Sequence, residues 1–89
     1  MATPDRSAAR AAALRYRPGE NAPALVASGR GHVAEAIRRA AEEAGTPIRE
    51  DAVLVEALAG LELGDEVPPE LYRAVAEALA WAYRLTRRG

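Results

Sequence analysis

The segment PPELYRAVAEALAWAYRLT, residues 68–86, decides the fold of this chain. It predicts a long C-terminal helix, because proline's fixed φ suits a first helical turn and its missing N–H is not needed there. Glu70 near the start and Arg84 near the end complement the helix dipole. Apolar side chains recur at three- and four-residue spacing. The predicted buried face comprises Leu71, Val75, Ala78, Leu79, Ala82 and Leu85.

The apolar arc of this helix is wider than one buried face requires. Tyr72 and Tyr83 extend it on one flank and Trp81 extends it on the other, which leaves only a narrow polar strip. We therefore expect the helix to be covered on more than one side, by its own domain or by a partner. Trp81 lies at the border of the arc, beside Glu77 and Arg84, so the pattern does not decide whether its side chain is buried.

Composition excludes several classes of function. The 89 residues suffice for one small domain and include no Cys and one His, so disulfides, thiolate sites and all-histidine metal sites are excluded. The net charge is -1, and the arginines are interleaved with acids, which is typical of ion pairs on a helix surface rather than of a nucleic-acid interface. No apolar run approaches the roughly 20 residues of a membrane span, and no signal peptide is recognisable, so a cytoplasmic location is expected.

Short elements precede the long helix. Residues 10–17 alternate Leu14 and Tyr16 with arginines, which favours a strand, although the alanines before them would equally suit a helix. Residues 24–27 form an apolar run between turn signals and predict a buried strand, and residues 48–50 predict a third short strand. Residues 1–9 show no useful period and predict a flexible N-terminal arm. Residues 10–87 are predicted to form a single domain.

Two further helices are predicted between these elements. The first spans residues 32–44 and ends at Gly45, which suits a left-handed C-terminal position. The second spans residues 52–58, capped by Asp51, with Leu54 and Leu58 pointing inward. The inner face of the first helix is predicted to comprise Val33, Ile37, Ala40, Ala41 and Ala44.

The order of these elements predicts the fold class. A strand, a helix and a further strand in the middle of the chain form a βαβ unit, whose strands should be parallel with a right-handed crossover. The predicted fold is α/β: a small mixed sheet of about three strands with one βαβ unit, covered by about three helices, of which the C-terminal one is long.

Residue types alone give only weak functional indications. Gly29 and Gly31 before a helix could cradle a phosphate, but a tight turn is favoured because the rest of a nucleotide-binding fingerprint is missing. His32 has no nucleophile placed near it by any motif, and Asp51 is better explained as a helix cap than as one of two paired acids with Glu50. No catalytic residue, cofactor or metal site is predicted.

Three segments in order resemble one known family: ALRYRP (13–18), LVASGRGHVAEAIRRAAEEAGTPIREDAVLVEAL (25–58) and ELGDEVPPELYRAVAEALAWAYRL (62–85). They are similar to the cytoplasmic C-terminal domain of the FlhB/YscU family, the substrate-specificity switch proteins of flagellar and other type III export machines. No single segment is specific, but the ordered set covers nearly the whole chain. The resemblance implies a role in protein export.

The family's self-cleavage motif, Asn-Pro-Thr-His, is not matched here. By position its four places fall on Arg6, Ser7, Ala8 and Ala9. Cleavage requires the Asn side-chain amide to attack its own backbone carbonyl, close a succinimide and expel the proline nitrogen. An arginine at the first place cannot close that ring. The sequence therefore predicts no self-cleavage and no enzymatic activity.

The resemblance implies a non-enzymatic interaction module that substitutes for, or competes with, the cleaved C-terminal fragment of the export switch. The expected partners are the membrane-bound export switch or the export gate protein at the inner face of the apparatus, with no nucleic acid, no membrane insertion and no cofactor. An alternative is a cytoplasmic regulatory adaptor with the same fold whose partner lies outside export. Partner contacts are assigned to Leu14, Tyr16, Trp81 and Arg84.

The family also has a membrane-embedded half and one more strand before the cleavage motif. This chain shows neither, so the resemblance predicts a stand-alone relative whose sheet has a vacant strand position. An exposed sheet edge is a template for strand addition. Whether the N-terminal arm or a partner fills the position is left open.

Overall fold

A computed structural model describes residues 9–86, in which two strands are followed by three helices. In chain order the elements are β1 (Arg10–Arg15), β2 (Ala24–Arg30), α1 (His32–Ala44), α2 (Ala52–Leu58) and α3 (Tyr72–Thr86). A short 3-10 turn, Pro69–Leu71, leads into α3. The predicted α/β class, the three helices and the long C-terminal helix are confirmed.

Strands β1 and β2 pair in antiparallel fashion. Arg10 lies opposite Arg30, and the register continues to Ala13 before a bulge leaves Val26 without an opposite residue. Beyond the bulge Leu14 lies opposite a fully buried leucine, Leu25. The two strands are joined by residues 16–23, which contain Pro18, Gly19 and Pro23.

The predicted third strand, residues 48–50, is not formed. The sheet among residues 9–86 contains two antiparallel strands, so the predicted βαβ unit and the mixed character of the sheet are also wrong. Pro47 has no N–H to donate to a strand ladder. The segment is held instead by its side chains, because Arg49 reaches across to α3.

The core lies between β1, α2 and α3. Leu54 and Leu58 of α2 are buried together with Val67 and Val75. The predicted inward orientation of the two leucines is therefore confirmed. The first turn of α2 is capped by Asp51, whose Oδ1 accepts a hydrogen bond from the Leu54 N–H at 3.0 Å. The partly buried residues packed against this cluster are Ala12, Leu14, Leu61, Leu71, Ala74, Ala78 and Leu79.

Helix α1 packs across both strands, but with a face that differs from the predicted one. Ala34 is buried, whereas Val33, Ala40 and Ala44 are exposed. Ile37 and Ala41 are partly buried, so they alone of the predicted face turn inward. Alanine contributes little to a hydrophobic pattern, so the position of the face was decided by docking onto the sheet.

The apolar face of α3 is confirmed over its first half only. Val75 is 1% exposed, and three neighbours of the same face pack on the core, but Leu85 is 45% exposed. Tyr72 and Tyr83 on the flank are exposed as well. No described helix is long and apolar enough to cross a membrane. Of the predicted N-terminal arm, all but Ala9 lies outside the described residues, as does the predicted domain end at residue 87.

Candidate protein-docking surface

One edge of β1 has no pairing partner among residues 9–86. The Gly31 N–H donates to the Ala9 carbonyl at 2.9 Å, so this pair and every second pair along the ladder exchange hydrogen bonds. The backbone groups of Arg10, Ala12 and Leu14 therefore point away from β2. No other described residue hydrogen-bonds to them. This edge offers a row of donors and acceptors to an added strand.

The opposite edge, along β2, is covered over its first half. The Leu25 N–H donates to the Asp65 carbonyl at 2.9 Å, and the Leu25 carbonyl accepts from the Gly64 N–H at 2.8 Å. The turn that covers this half is held by Asp65 itself, whose Oδ2 accepts from the Glu62 N–H at 2.9 Å. The longer run of open backbone groups is therefore the one on β1.

The strand residues predicted to contact a partner occupy this region. The Leu14 side chain packs on the core, so only its backbone is available at the edge. Tyr16 follows β1 and is 50% exposed. Arg84 is exposed in the last turn of α3. No hydrogen bond, ion pair or ring contact between described residues joins Tyr16 to Trp81 or Arg84, and their role as partner contacts stays a prediction.

Trp81 is half-buried beneath Arg49, a residue that the sequence analysis did not connect with it. The guanidinium carbon of Arg49 lies 5.9 Å from the centroid of the Trp81 ring, and its Nη1 donates to the Glu77 carbonyl at 3.3 Å. A cation over an aromatic face at this distance contributes about 0.5–1 kcal/mol at an exposed site. Trp81 therefore already has a contact within its own chain, and no local spacing could have revealed it.

The candidate chemical groups are not assembled into a site in the described part of the chain. No group of three or more His, Asp or Glu among those residues could hold a metal ion. Glu50 pairs with Arg38 at 3.7 Å while Asp51 caps α2, so the two acids serve different contacts. Gly29 belongs to β2. Gly31, with φ of 55°, forms the turn into α1, where it has no side chain to cap the helix.

The cleavage-motif positions are only partly described. Arg6, Ser7 and Ala8 lie outside the described residues, and Ala9 continues the pairing of β1 through its carbonyl. The absence of Asn-Pro-Thr-His is a property of the sequence, in which the single Asn, Asn21, is followed by Ala22.

Comparison with known proteins gives close matches over most of the chain. The sequence profile of the FlhB HrpN YscU SpaS Family matches residues 8–82. YlqH of Bacillus subtilis (strain 168), an uncharacterised protein, is 43% identical over 77 residues, which cover 85% of this chain and 83% of YlqH. The flagellar biosynthetic protein FlhB of Escherichia coli (strain K12) is 43% identical over 77 residues, which cover 84% of this chain but 20% of FlhB.

Solved structures agree with these relatives. A mutated EscU/SpaS C-terminal domain superimposes with a TM-score of 0.80 at 26% identity, covering 84% of this chain and 95% of that domain. The PscU C-terminal domain gives a TM-score of 0.77 at 32% identity, covering 81% of this chain and 94% of that domain. The chain thus matches a C-terminal domain almost whole and about one fifth of FlhB. It belongs to the FlhB HrpN YscU SpaS family of export proteins.

Proposed function

We propose that this chain is a non-enzymatic protein-interaction module of a flagellar or other type III export apparatus, acting at its cytoplasmic face. The observation that carries the proposal is the overlap with 95% of the EscU/SpaS C-terminal domain at a TM-score of 0.80. The named relatives support it, since they include flagellar biosynthetic proteins and the hypersensitivity response secretion protein HrcU of Ralstonia nicotianae.

The proposed partner is the membrane-bound export switch or the export gate protein. The chain would occupy the place of the switch's own C-terminal fragment, as a substitute or as a competitor. The open edge of β1 supports this mode of docking, because Arg10, Ala12 and Leu14 present backbone groups that an extended segment can pair with. Strand addition needs no catalytic group and no cofactor.

The proposal includes the absence of self-cleavage. Without an Asn at position 6 no succinimide can form there, and Ser7 leaves a secondary amide where the family has a proline imide. We expect the purified chain to show a single intact mass after prolonged incubation at neutral pH. A break between Arg6 and Ser7, detected by mass spectrometry, would show that the chain cleaves itself by a route other than Asn cyclisation.

A binding titration tests the docking. The membrane-side remnant of a full-length export switch, stripped of its own C-terminal fragment, is titrated with this chain. We expect saturable binding that the native fragment displaces. The matched variants are Ala12→Pro and Ala13→Pro: the N–H of Ala12 points to the open edge, whereas that of Ala13 bonds to β2.

These two variants separate docking from folding. Proline is tolerated on an edge strand where its missing N–H faces outward, so Ala12→Pro should keep the fold and weaken binding about tenfold or more. Ala13→Pro should disturb the sheet itself, which circular dichroism would show. Full binding by folded Ala12→Pro would exclude the β1 edge as the docking surface, and no binding by the unmodified chain would refute the export role.

A second candidate is an adaptor that uses the same fold for a partner outside export. The match to YlqH favours it, because 83% of that protein is covered by this one domain, without the remainder of an FlhB-length protein. The genomic neighbourhood distinguishes the two candidates: export genes beside this one support the first, and their absence supports the adaptor.

A further inference from the structure

An open groove of about 270 Å³ lies at the end of the sheet distant from the β1–β2 loop. The core face of the strands runs from Leu14 through Ala12 to Arg10, and α2 covers only the first two of these. Where α2 leaves the sheet, a gap remains between the helix and the strand ends. The residues that line it are Arg10, Ala11, Ser28, Gly29, Arg30, Val55 and Ala59.

The groove carries two positive charges that the described chain does not neutralise. Arg10 and Arg30 lie directly opposite each other on neighbouring strands, an arrangement of like charges that destabilises a sheet. Neither guanidinium forms an ion pair with another described residue, although Arg15 and Arg38 both do. The hydroxyl of Ser28, which precedes Arg30 by two residues on β2 and lies opposite Ala12, likewise has no hydrogen-bond partner within residues 9–86. An anionic ligand would relieve the repulsion and use all three donors.

The remaining walls of the groove are apolar and small. Val55 and Ala59 of α2 form one side, and the backbone of Ala11 and Gly29 completes the strand surface, since the side-chain positions of these two residues face α1. A volume of about 270 Å³ lies just below the range of pockets for drug-sized ligands, and an open groove of this size has room for one or two side chains of a peptide. Two arginines on a chain of net charge -1 are too few for a nucleic-acid footprint.

We infer that this groove binds a carboxylate-bearing peptide segment, with an Asp or Glu side chain between Arg10 and Arg30 and a neighbouring apolar side chain against Val55 and Ala59. The partner is thus an acidic, extended segment of another protein. The inference does not rest on the export role, because the groove lies on the face of the sheet and the proposed docking edge runs along β1.

Fluorescence anisotropy with a labelled, capped peptide Gly-Val-Glu-Val-Asp-Val-Gly tests the inference on the full chain. We expect saturable binding that weakens as salt is raised from about 50 to about 300 mM, because exposed charges are screened. Arg10→Gln and Arg30→Gln should each weaken binding about threefold, and the double variant about tenfold. Arg73→Gln removes the same charge from the exposed surface of α3 and should leave binding unchanged.

Two further arms identify the ligand chemistry. The peptide with Gln and Asn in place of Glu and Asp should not bind, and Ala59→Leu, which fills the groove and keeps both arginines, should weaken binding of the acidic peptide. The inference would be overturned if the neutral peptide bound as tightly as the acidic one, or if the acidic peptide did not bind at all. It would also be overturned if Arg73→Gln weakened binding as much as Arg10→Gln or Arg30→Gln. Displacement by inorganic phosphate at the peptide's own molar concentration would also overturn it, because the groove would then be a simple anion site.

Discussion

Replacing Gly29 with alanine should destabilise the fold, because α1 approaches β2 most closely there. A Cβ atom built on Gly29 would lie 2.7 Å from the Val33 Cβ and closer still to Val33 Cγ1. Rotating the Val33 side chain moves Cγ1 away but leaves Cβ in place, and valine in a helix has one strongly preferred rotamer. The start of α1 must therefore shift away from the strand.

Two opposing effects set the size of this destabilisation. Overpacking of a well-packed contact costs about 1–3 kcal/mol. Alanine in place of glycine within a strand recovers about 0.5–1 kcal/mol of backbone entropy. We expect the free energy of unfolding to fall by about 1–2 kcal/mol, which lowers the Tm of a domain of this size by about 5–15 °C.

Urea unfolding, followed by the fluorescence of Trp81 and by circular dichroism, measures the change. Gly60→Ala is the matched control, because the nearest atom to its added Cβ is the Ala57 carbonyl oxygen at 4.0 Å and its φ is not positive. Combining Gly29→Ala with Val33→Gly should recover about 1 kcal/mol relative to the sum of the single effects. If Gly29→Ala is as stable as the Gly60→Ala control, or if the double variant shows no coupling, the close contact does not limit this position.

The remaining predictions concern the core, a helix cap and the cover of Trp81. Leu58→Ala should cost about 2–5 kcal/mol at unchanged urea m-value, whereas Leu63→Ala, 65% exposed in wild type, should stay within about 0.5 kcal/mol; equal costs would argue against the assigned core. Asp51→Ala should lower the free energy of unfolding by about 1 kcal/mol, and Asp51→Asn should restore most of that loss. Equal stability of Asp51→Ala and the wild type would show that the cap contributes nothing. Arg49→Ala should cost about 0.5–1 kcal/mol and shift the Trp81 emission to longer wavelength, and an unchanged spectrum would contradict the stacked geometry.

Helix positions were predictable because their signals are local. Asp51 can satisfy an N–H of its own helix, and Gly45 can take the left-handed φ of 73° that ends α1. The prolines suit the 3-10 turn Pro69–Leu71, and α3 itself begins at Tyr72, four residues after the predicted start at residue 68. Each signal depends on atoms a few residues apart, so it acts in the same way whatever the rest of the chain does. The α/β class followed from the order of such segments.

The docking surface was less predictable. Tyr16 and Trp81 are identifiable in the sequence as large aromatic residues beside polar ones, but Arg49, which covers Trp81, lies on a distant segment that the sequence predicts to be a strand. The cross-strand pair of Arg10 and Arg30 depends on the register, and the bulge at Val26 shows that this register changes along the ladder. Residue spacing within a single segment does not report such pairings.

The sequence by itself determined the bounds of α1 and α2, the end of α3, the absence of an Asn-Pro dipeptide and the family resemblance. Only the tertiary structure decided that residues 48–50 form no strand, that α1 docks through Ala34 rather than Val33, and that no segment within residues 9–86 covers the β1 edge or the arginine groove. The division has a physical reason: caps and turns are set by bonds within a few residues, whereas a strand, a helix face and an open edge depend on which distant segment packs against them.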